Sequence, residues 1–302
     1  MSSGDLMADR RYDFARDLQL RGDLEGAVDL LSQAVELAPC FASAWFVLGN
    51  IKQQLNQHGE AIAAFRQAVA ADPDDRHGAK LRLIRLGAEP PSDMSPAYVR
   101  ILFDQYAQGF ETSLVGKLGY RGPELLFKAV LAACHAAHRP AFFKHAIDLG
   151  CGTGLAARAF ASNVDRIDGI DLSPHMLAQA RATGLYNELE VADMVRGLAG
   201  KVTGSTDLIL VADAVIYLQG LAPLLREVAR VLEAGGLLAF TAETHAGEGV
   251  VLGAGLRYAH SPAYVRAAME TAGLRLSQLI DVSARNEDSV AVPGLVVVAV
   301  KD

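Results

Sequence analysis

His145-Ala146-Ile147-Asp148-Leu149-Gly150-Cys151-Gly152-Thr153-Gly154 is the stretch on which the fold turns. An apolar run meets an acid, glycines follow at alternate positions, and an alanine-rich segment comes next. Glycine lets backbone approach a ligand with no Cβ in the way, and the N-terminus of the following helix offers free N–H donors. The stretch therefore reads as a first strand turning into a helix around a loop shaped to cradle a ligand. A dinucleotide-binding loop would read G-x-G-x-x-G and would need glycine where Leu155 stands. Here the spacing is G-x-G-x-G, with an acid two residues before the first glycine.

Downstream, short β-branched or leucine-rich runs alternate with helical ones. The strands expected are His145 to Leu149, Arg166 to Asp171, Glu188 to Val191, Leu208 to Ala212, Gly236 to Thr241, Leu276 to Ser283 and Leu295 to Val300. Alternation with helices specifies an α/β, doubly wound, Rossmann-like sheet of seven strands, and the last two, with no helix between them, should form an antiparallel hairpin.

Upstream the chain is helical and repetitive. Ala27, Leu31, Ala34 and Pro39 recur 34 residues later as Ala61, Phe65, Ala68 and Pro73, and Trp45, Leu48 and Gly49 fall on the first helix of the second unit. Small residues let paired helices approach, and proline ends each second helix. This resembles two tetratricopeptide units over about residues 8 to 75, the first a weaker cap with Arg11 and Ala15 in place of Trp45 and Gly49, closed by a helix around Gly78 to Leu86. Such repeats commonly display peptide-binding grooves, which implies a protein partner; a structural or dimerising role is the alternative. Glu89-Pro90-Pro91-Ser92-Asp93 reads as a linker, and Ser95-Pro96 opens a helix carrying Val99, Leu102, Phe103, Tyr106 and Phe110. The expected organisation is a helical repeat domain over 1–90, a linker and lid helix over 91–122 and the α/β domain over 123–302.

Composition narrows the function. The chain has 302 residues, 51% of them hydrophobic and 21% charged, so it can bury a sizeable core and is not a disordered chain. With 28 basic and 35 acidic residues its net charge is −7, which argues against coating nucleic acid. Cys40, Cys134 and Cys151 lie far apart with no C-x-x-C pair, so no metal is expected and a reducing compartment is. Charges near the start and no sufficiently long apolar run point to a cytoplasmic protein without membrane association.

The glycine loop resembles motif I of the class I S-adenosylmethionine-dependent methyltransferases, and the later strand ends agree with it. Asp171 closes the second strand 23 residues after Asp148, followed by Leu172 and Ser173; there the resemblance implies a carboxylate accepting from both ribose hydroxyls. Ala192-Asp193-Met194 follows the third strand, where the family contacts adenine. Asp213-Ala214-Val215-Ile216-Tyr217 follows the fourth, the segment that faces the methyl group. Phe103-Asp104-x-Tyr106-x-x-x-Phe110, Leu118-Gly119-Tyr120-Arg121-Gly122-Pro123, and Met176-Leu177-Ala178-Gln179-Ala180-Arg181 with Gly184-Leu185-Tyr186 are similar to bacterial tetratricopeptide-linked methyltransferases and to Williams-Beuren-region methyltransferase-like proteins. The resemblance implies S-adenosyl-L-methionine as cofactor, held by Asp148, Gly150, Cys151, Gly152, Thr153, Asp171, Leu172, Met176, Ala192, Asp193, Met194 and Asp213, with Tyr106 and Phe110 as lid aromatics. Plainer readings stand beside several of these. Asp148 could cap loop amides instead of orienting the methionyl ammonium, Asp193 could be a turn acid, Met176 could be helix packing, and the two aromatics could be core.

Transfer to a hydroxyl or amine also removes a proton, so a base within hydrogen-bond reach helps. The candidates lie beyond the fourth and fifth strands: Tyr217, His245 and His260 as bases, with Arg257 and Tyr258 touching substrate. A polar loop-supporting role is the alternative for His245, a helix start for His260 and an internal salt bridge for Arg257. Cys151 is not part of a Pro-Cys dipeptide of the cytosine C5-methylating kind, and Asp213-Ala214-Val215-Ile216 lacks the Asn- or Asp-Pro-Pro-aromatic tetrapeptide of amino methylation, which discounts both. The function expected is O- or N-methylation of a small metabolite. Two other readings remain: methylation of a protein or carrier-bound substrate recruited by the repeats, and a non-catalytic scaffold that senses cofactor.

Overall fold

The computed structural model describes residues 2–107, 119–287 and 289–302. Phe110, expected on the lid, lies outside the described residues. The chain divides into two compact units, Met1–Tyr98 and Val99–Asp302. The division falls inside a helix, Pro96–Tyr106, downstream of the Pro90-Pro91 pair where composition put the joint.

The first unit holds α1 (Leu6–Leu20), α2 (Leu24–Leu37), α3 (Ala42–Gln54), α4 (His58–Ala71) and α5 (Ala79–Arg85). Acids start the helices where the sequence offers them: Asp5 accepts from the Met7 and Ala8 amides, Asp23 from Gly26, and Asp75 from Ala79 and Lys80. These side chains satisfy amides that a helix start leaves without intrahelical partners. Ala27, Leu31, Ala34 and Ile51 are fully buried in the seam. Gly49 is required by close approach, since a Cβ there would sit 2.6 Å from the Phe65 ring.

In the second unit α6 (Pro96–Tyr106) and α7 (Gly122–Ala136) precede β1 (Phe143–Leu149), α8 (Leu155–Phe160), β2 (Val164–Asp171), α9 (Pro174–Ala182), β3 (Glu188–Val191), α10 (Met194–Ala199) and β4 (Thr206–Val211). A 3-10 turn at Val215–Tyr217 leads to α11 (Ala222–Val231), β5 (Leu232–Glu243), β6 (Val250–Leu252), β7 (Tyr258–His260), α12 (Pro262–Thr271) and β8 (Leu274–Asp281). The chain ends with β9 (Asn286–Glu287), β10 (Val290–Ala291) and β11 (Gly294–Lys301).

The main sheet runs β3-β2-β1-β4-β5-β11-β8. The first five strands are parallel, and β11 inserts antiparallel between β5 and β8. Both faces are covered, so strand residues serve two cores: Ile147, Leu149, Ile209 and Val211 face one, Ala146, Leu208 and Leu210 the other. The chain crosses from the β1-β2-β3 side to β4 at the β1/β4 junction, and in open α/β sheets ligands bind beyond the carboxyl ends of the strands at such a switch point.

Two features depart from the sequence reading. The sheet gains β6 and β7, an antiparallel hairpin whose second strand pairs with β5 at Glu243↔Ala259, where the sequence reading gives no strand. The last two main-sheet strands do pair antiparallel, but β9 and β10 form a small hairpin in their connection. Among the described residues no helix is long and apolar enough to cross a membrane, and no cluster of His, Cys, Asp or Glu has the arrangement of a metal site.

Candidate active site

The glycine loop leaves β1 with Gly150, Gly152 and Gly154 at φ of 66°, 54° and 95°. All three lie in the left-handed region that glycine enters without steric cost. Gly150 is pinned twice over, because a Cβ there would meet the Ala214 Cβ at 2.6 Å. Its amide and that of Cys151 donate to the Ile170 carbonyl at 2.8 and 3.1 Å, tying the loop to the end of β2. At Gly152 a Cβ would meet no atom within 4 Å, so this part of the loop faces open space.

Asp171 caps that arrangement. Its Oδ2 accepts from the Gly152 amide at 2.9 Å and its Oδ1 from Ser173 at 2.8 Å. Burial raises its carboxyl above the ordinary range. Asp148 is fully buried and accepts at Oδ2 from the Tyr186 hydroxyl at 2.7 Å, while its Oδ1 has no protein partner. Burial pushes this carboxyl up to about 7; the Tyr186 hydrogen bond lowers it and the Asp171 charge raises it. The Thr153 hydroxyl is also buried without a partner. Buried polar atoms in proteins are nearly always satisfied, so two orphans beside an open glycine loop are what a polar ligand would complete. The residues fit the methionyl and ribose parts of S-adenosyl-L-methionine on that ground.

The remaining expected contacts divide. Leu172, Ala192 and Met194 lie half-buried at the ends of β2 and β3. Asp193 is the N-cap of α10, accepting from the Val195 and Arg196 amides, which is the turn-acid alternative. Met176 is fully buried, as helix packing requires. Cys151 is buried beside the loop, and burial raises its thiol well above its usual range, which leaves it a small packing residue and no nucleophile. Tyr106 is 57% exposed, whereas Phe103, one turn earlier, meets Tyr217 edge-on with ring centroids 5.5 Å apart. Asp104 fixes that helix by accepting from the Ser173 hydroxyl at 2.6 Å and lying 3.0 Å from His175 Nδ1, and the Gln179 amide donates to the Ala107 carbonyl. Phe103, Asp104 and Tyr186 were thus present in the sequence motifs without being given roles.

The expected bases and substrate groups fare differently. His245 accepts at Nδ1 from the Gly247 amide at 3.1 Å and reaches the Gly249 carbonyl with Nε2 at 3.2 Å, so both ring nitrogens support the loop. His260 is fully buried, with Nε2 3.0 Å from the Leu218 carbonyl and the ring stacked on Tyr264. The Tyr217 ring meets Phe103 edge-on, and burial raises the pKa of its hydroxyl above the usual tyrosine value, so it stays protonated. Arg257 is engaged by Glu243 at 2.5 Å and by Glu287, and Tyr258 is buried, so neither awaits a ligand. Asp213 has Arg285 as its ionic partner rather than groups of the glycine loop. Nothing in the local sequence marked Arg285; it lies 72 residues from the acid it meets.

A parallel sheet with a 3-2-1-4-5 start, an inserted antiparallel strand, and a G-x-G-x-G loop backed by acids on β1 and β2 defines a methyltransferase domain of the S-adenosylmethionine-dependent class. Residues 147–240 match the family model for the methyltransferase domain, and residues 42–75 match that for the tetratricopeptide repeat. The chain is similar to human Methyltransferase-like protein 27, with 32% identity over 144 residues, covering 47% of this chain and 57% of that protein. It is 32% identical over 95 residues to the Ubiquinone biosynthesis O-methyltransferase of Xanthomonas oryzae pv. oryzae, covering 30% and 40%. It thus spans about half the length of the curated relatives it matches. In fold it is similar to the Burkholderia thailandensis 1,6-didemethyltoxoflavin-N1-methyltransferase, at 14% identity and a TM-score of 0.52 over 70% of this chain and 92% of that one.

Proposed function

We propose that this protein transfers a methyl group from S-adenosyl-L-methionine to an oxygen or nitrogen of a small metabolite. The observation that carries the reading is the open glycine loop at the β1/β4 switch point, flanked by the orphaned Asp148 Oδ1 and Thr153 Oγ1. The cofactor, when bound, supplies a methyl group on a sulfonium for in-line displacement. The chain's own residues bind and orient it. Asp171 accepts from ribose hydroxyls while holding Gly152, Asp148 faces the ammonium directly or through water, and Ala192, Asp193 and Met194 line the base. Phe103 over Tyr217 excludes water from the reacting end, where proximity and desolvation lower the barrier. The relatives named for methylation of ubiquinone precursors and of a toxoflavin precursor support a small acceptor. The repeat at 42–75 favours a second reading, in which a docked protein or carrier presents the acceptor. Three free cysteines support a reducing, cytoplasmic setting.

Asp171→Ala is expected to weaken S-adenosylhomocysteine binding by one to two orders of magnitude, since hydrogen bonds to a charged acceptor contribute about 1.5–3 kcal/mol each and the variant also loosens Gly152. Unchanged affinity by calorimetry would remove Asp171 from the site. Labelled cofactor incubated with cell extract then tells whether label enters the small-molecule or the protein fraction.

A further inference from the structure

Two guanidiniums and three carboxylates meet around the carboxyl ends of β4 and β5. Arg285, on the connection from β8 to β11, splits its fork, donating from Nη1 to Asp213 Oδ2 and from Nη2 to Glu243 Oε1. Arg257 donates from Nε to the same Glu243 oxygen at 2.5 Å and from Nη2 to Glu287 Oε1, which lies 3.7 Å from Arg285 Nε. Three acids against two bases leave an excess of one negative charge when all are ionised. Arg–carboxylate pairs are frequently bidentate, two N–H groups closing on both oxygens of one acid. Asp213 gives Arg285 only Oδ2, and among the described residues nothing donates to its Oδ1.

Backbone geometry aims this side chain. Asp213 lies at φ 59°, in the left-handed region that aspartate tolerates better than most residues, and its amide donates to the Thr241 hydroxyl at 2.8 Å. That turn takes Asp213 off β4 at the switch point, and Tyr217 in the segment that follows meets Phe103 of α6 edge-on. The other expected bases are unsuitable: His245 is closed onto its own loop, His260 is buried and Tyr217 stays protonated.

We infer that Asp213 is the proton acceptor of the transfer, that Arg285 is the positioning residue that holds it, and that the methyl acceptor is a protic nucleophile, an alcohol, phenol or amine. The inference rests on the methyltransferase reading above. In the step, the new bond forms between the acceptor oxygen or nitrogen and the methyl carbon while the carbon–sulfur bond breaks with its electron pair going to sulfur. The acceptor's proton passes to Asp213 Oδ1 and from there to water. A free carboxylate or phosphate as acceptor would bring no proton to remove and would meet a cluster already one charge negative, with both guanidiniums taken.

The charges around Asp213 set its pH behaviour. Burial raises its carboxyl to about 6, with Arg285 and Arg257 pulling it down and Glu243 pushing it up. Tyr120 and Tyr217 face it with hydroxyls that burial keeps protonated, and Glu287 bears on it through the two arginines. The ionised form, needed in a base, is therefore populated above about pH 6.

The test follows label from S-adenosyl-L-methionine into acceptors of cell extract between pH 5 and 8, with S-adenosylhomocysteine affinity measured in parallel on the full chain. The wild type should show an acid limb near pH 6. Asp213→Asn should keep S-adenosylhomocysteine affinity within about threefold and lose about 10²–10⁴-fold in transfer, the usual worth of a positioned base. Arg285→Gln should move the limb to higher pH, and Arg285→Lys, which restores the charge, should move it back. Asp213→Asn retaining full transfer, or a flat wild-type profile over this range, would overturn the inference while the methyltransferase reading stood. A wild type that binds S-adenosylhomocysteine and transfers nothing would overturn both.

Discussion

Asp148 concentrates the site's chemistry in one side chain. Its carboxyl is fully buried and titrates near 7, half-protonated at neutrality, with one oxygen on Tyr186 and the other unpartnered. Because the folded protein holds this proton to about pH 7 while an unfolded chain releases it near 3.8, the group's contribution to stability falls as pH rises between those values. A cationic ammonium beside it favours the ionised form, so cofactor binding releases a proton. S-adenosylhomocysteine affinity should therefore increase from pH 6 to pH 8, and the increase should vanish in Asp148→Asn; a parallel rise in that variant, measured by calorimetry, would place the titrating group elsewhere. The acids of the loop were legible in sequence because spacing alone puts them at strand ends. The Asp213–Arg285 pair was not, since pairing across 72 residues leaves no local pattern, and a position after β5 says nothing of the Gly247 and Gly249 backbone that closes on His245.

Whole elements were easier to read than single contacts. Period and composition located the main strands to within a few residues, because a strand buried on both faces needs a continuous apolar run. The β6–β7 hairpin escaped because each strand is three residues long and glycines surround both. The helical repeat was legible through small residues, and Gly49 shows why. An added methyl in Gly49→Ala would lie 2.6 Å from a fully buried Phe65 ring that has no room to swing away. Overpacking of this kind costs about 1–3 kcal/mol. The substitution should lower the melting temperature of the repeat unit while leaving S-adenosylhomocysteine affinity unchanged; a melting curve identical to wild type would mean that the α3–α4 seam can open at little cost.

At the scale of the molecule, each unit has buried clusters of its own among the described residues: those of the first end at Leu83, and those of the second begin with Leu126 and Ile147. Separate cores let units melt separately, so the full chain should depart from a single two-state transition. The choice of cut matters. The compact units divide between Tyr98 and Val99, inside α6, and the other half of that helix carries Phe103 and Asp104, which meet Tyr217 and Ser173. A chain beginning at Ser92 keeps α6 whole, at the expense of uncovering the Tyr98 ring, whose contact at Gly78 goes with the repeat. It should melt cooperatively and bind S-adenosylhomocysteine within about threefold of the full chain. A chain beginning at Val99 loses the first turn of α6 and should bind more weakly, through a loosened Phe103–Tyr217 contact. Failure of the Ser92 chain to melt cooperatively would show that the repeat unit contributes to the stability of the methyltransferase domain. Equal binding by both shortened chains would show that α6 does not act as the lid.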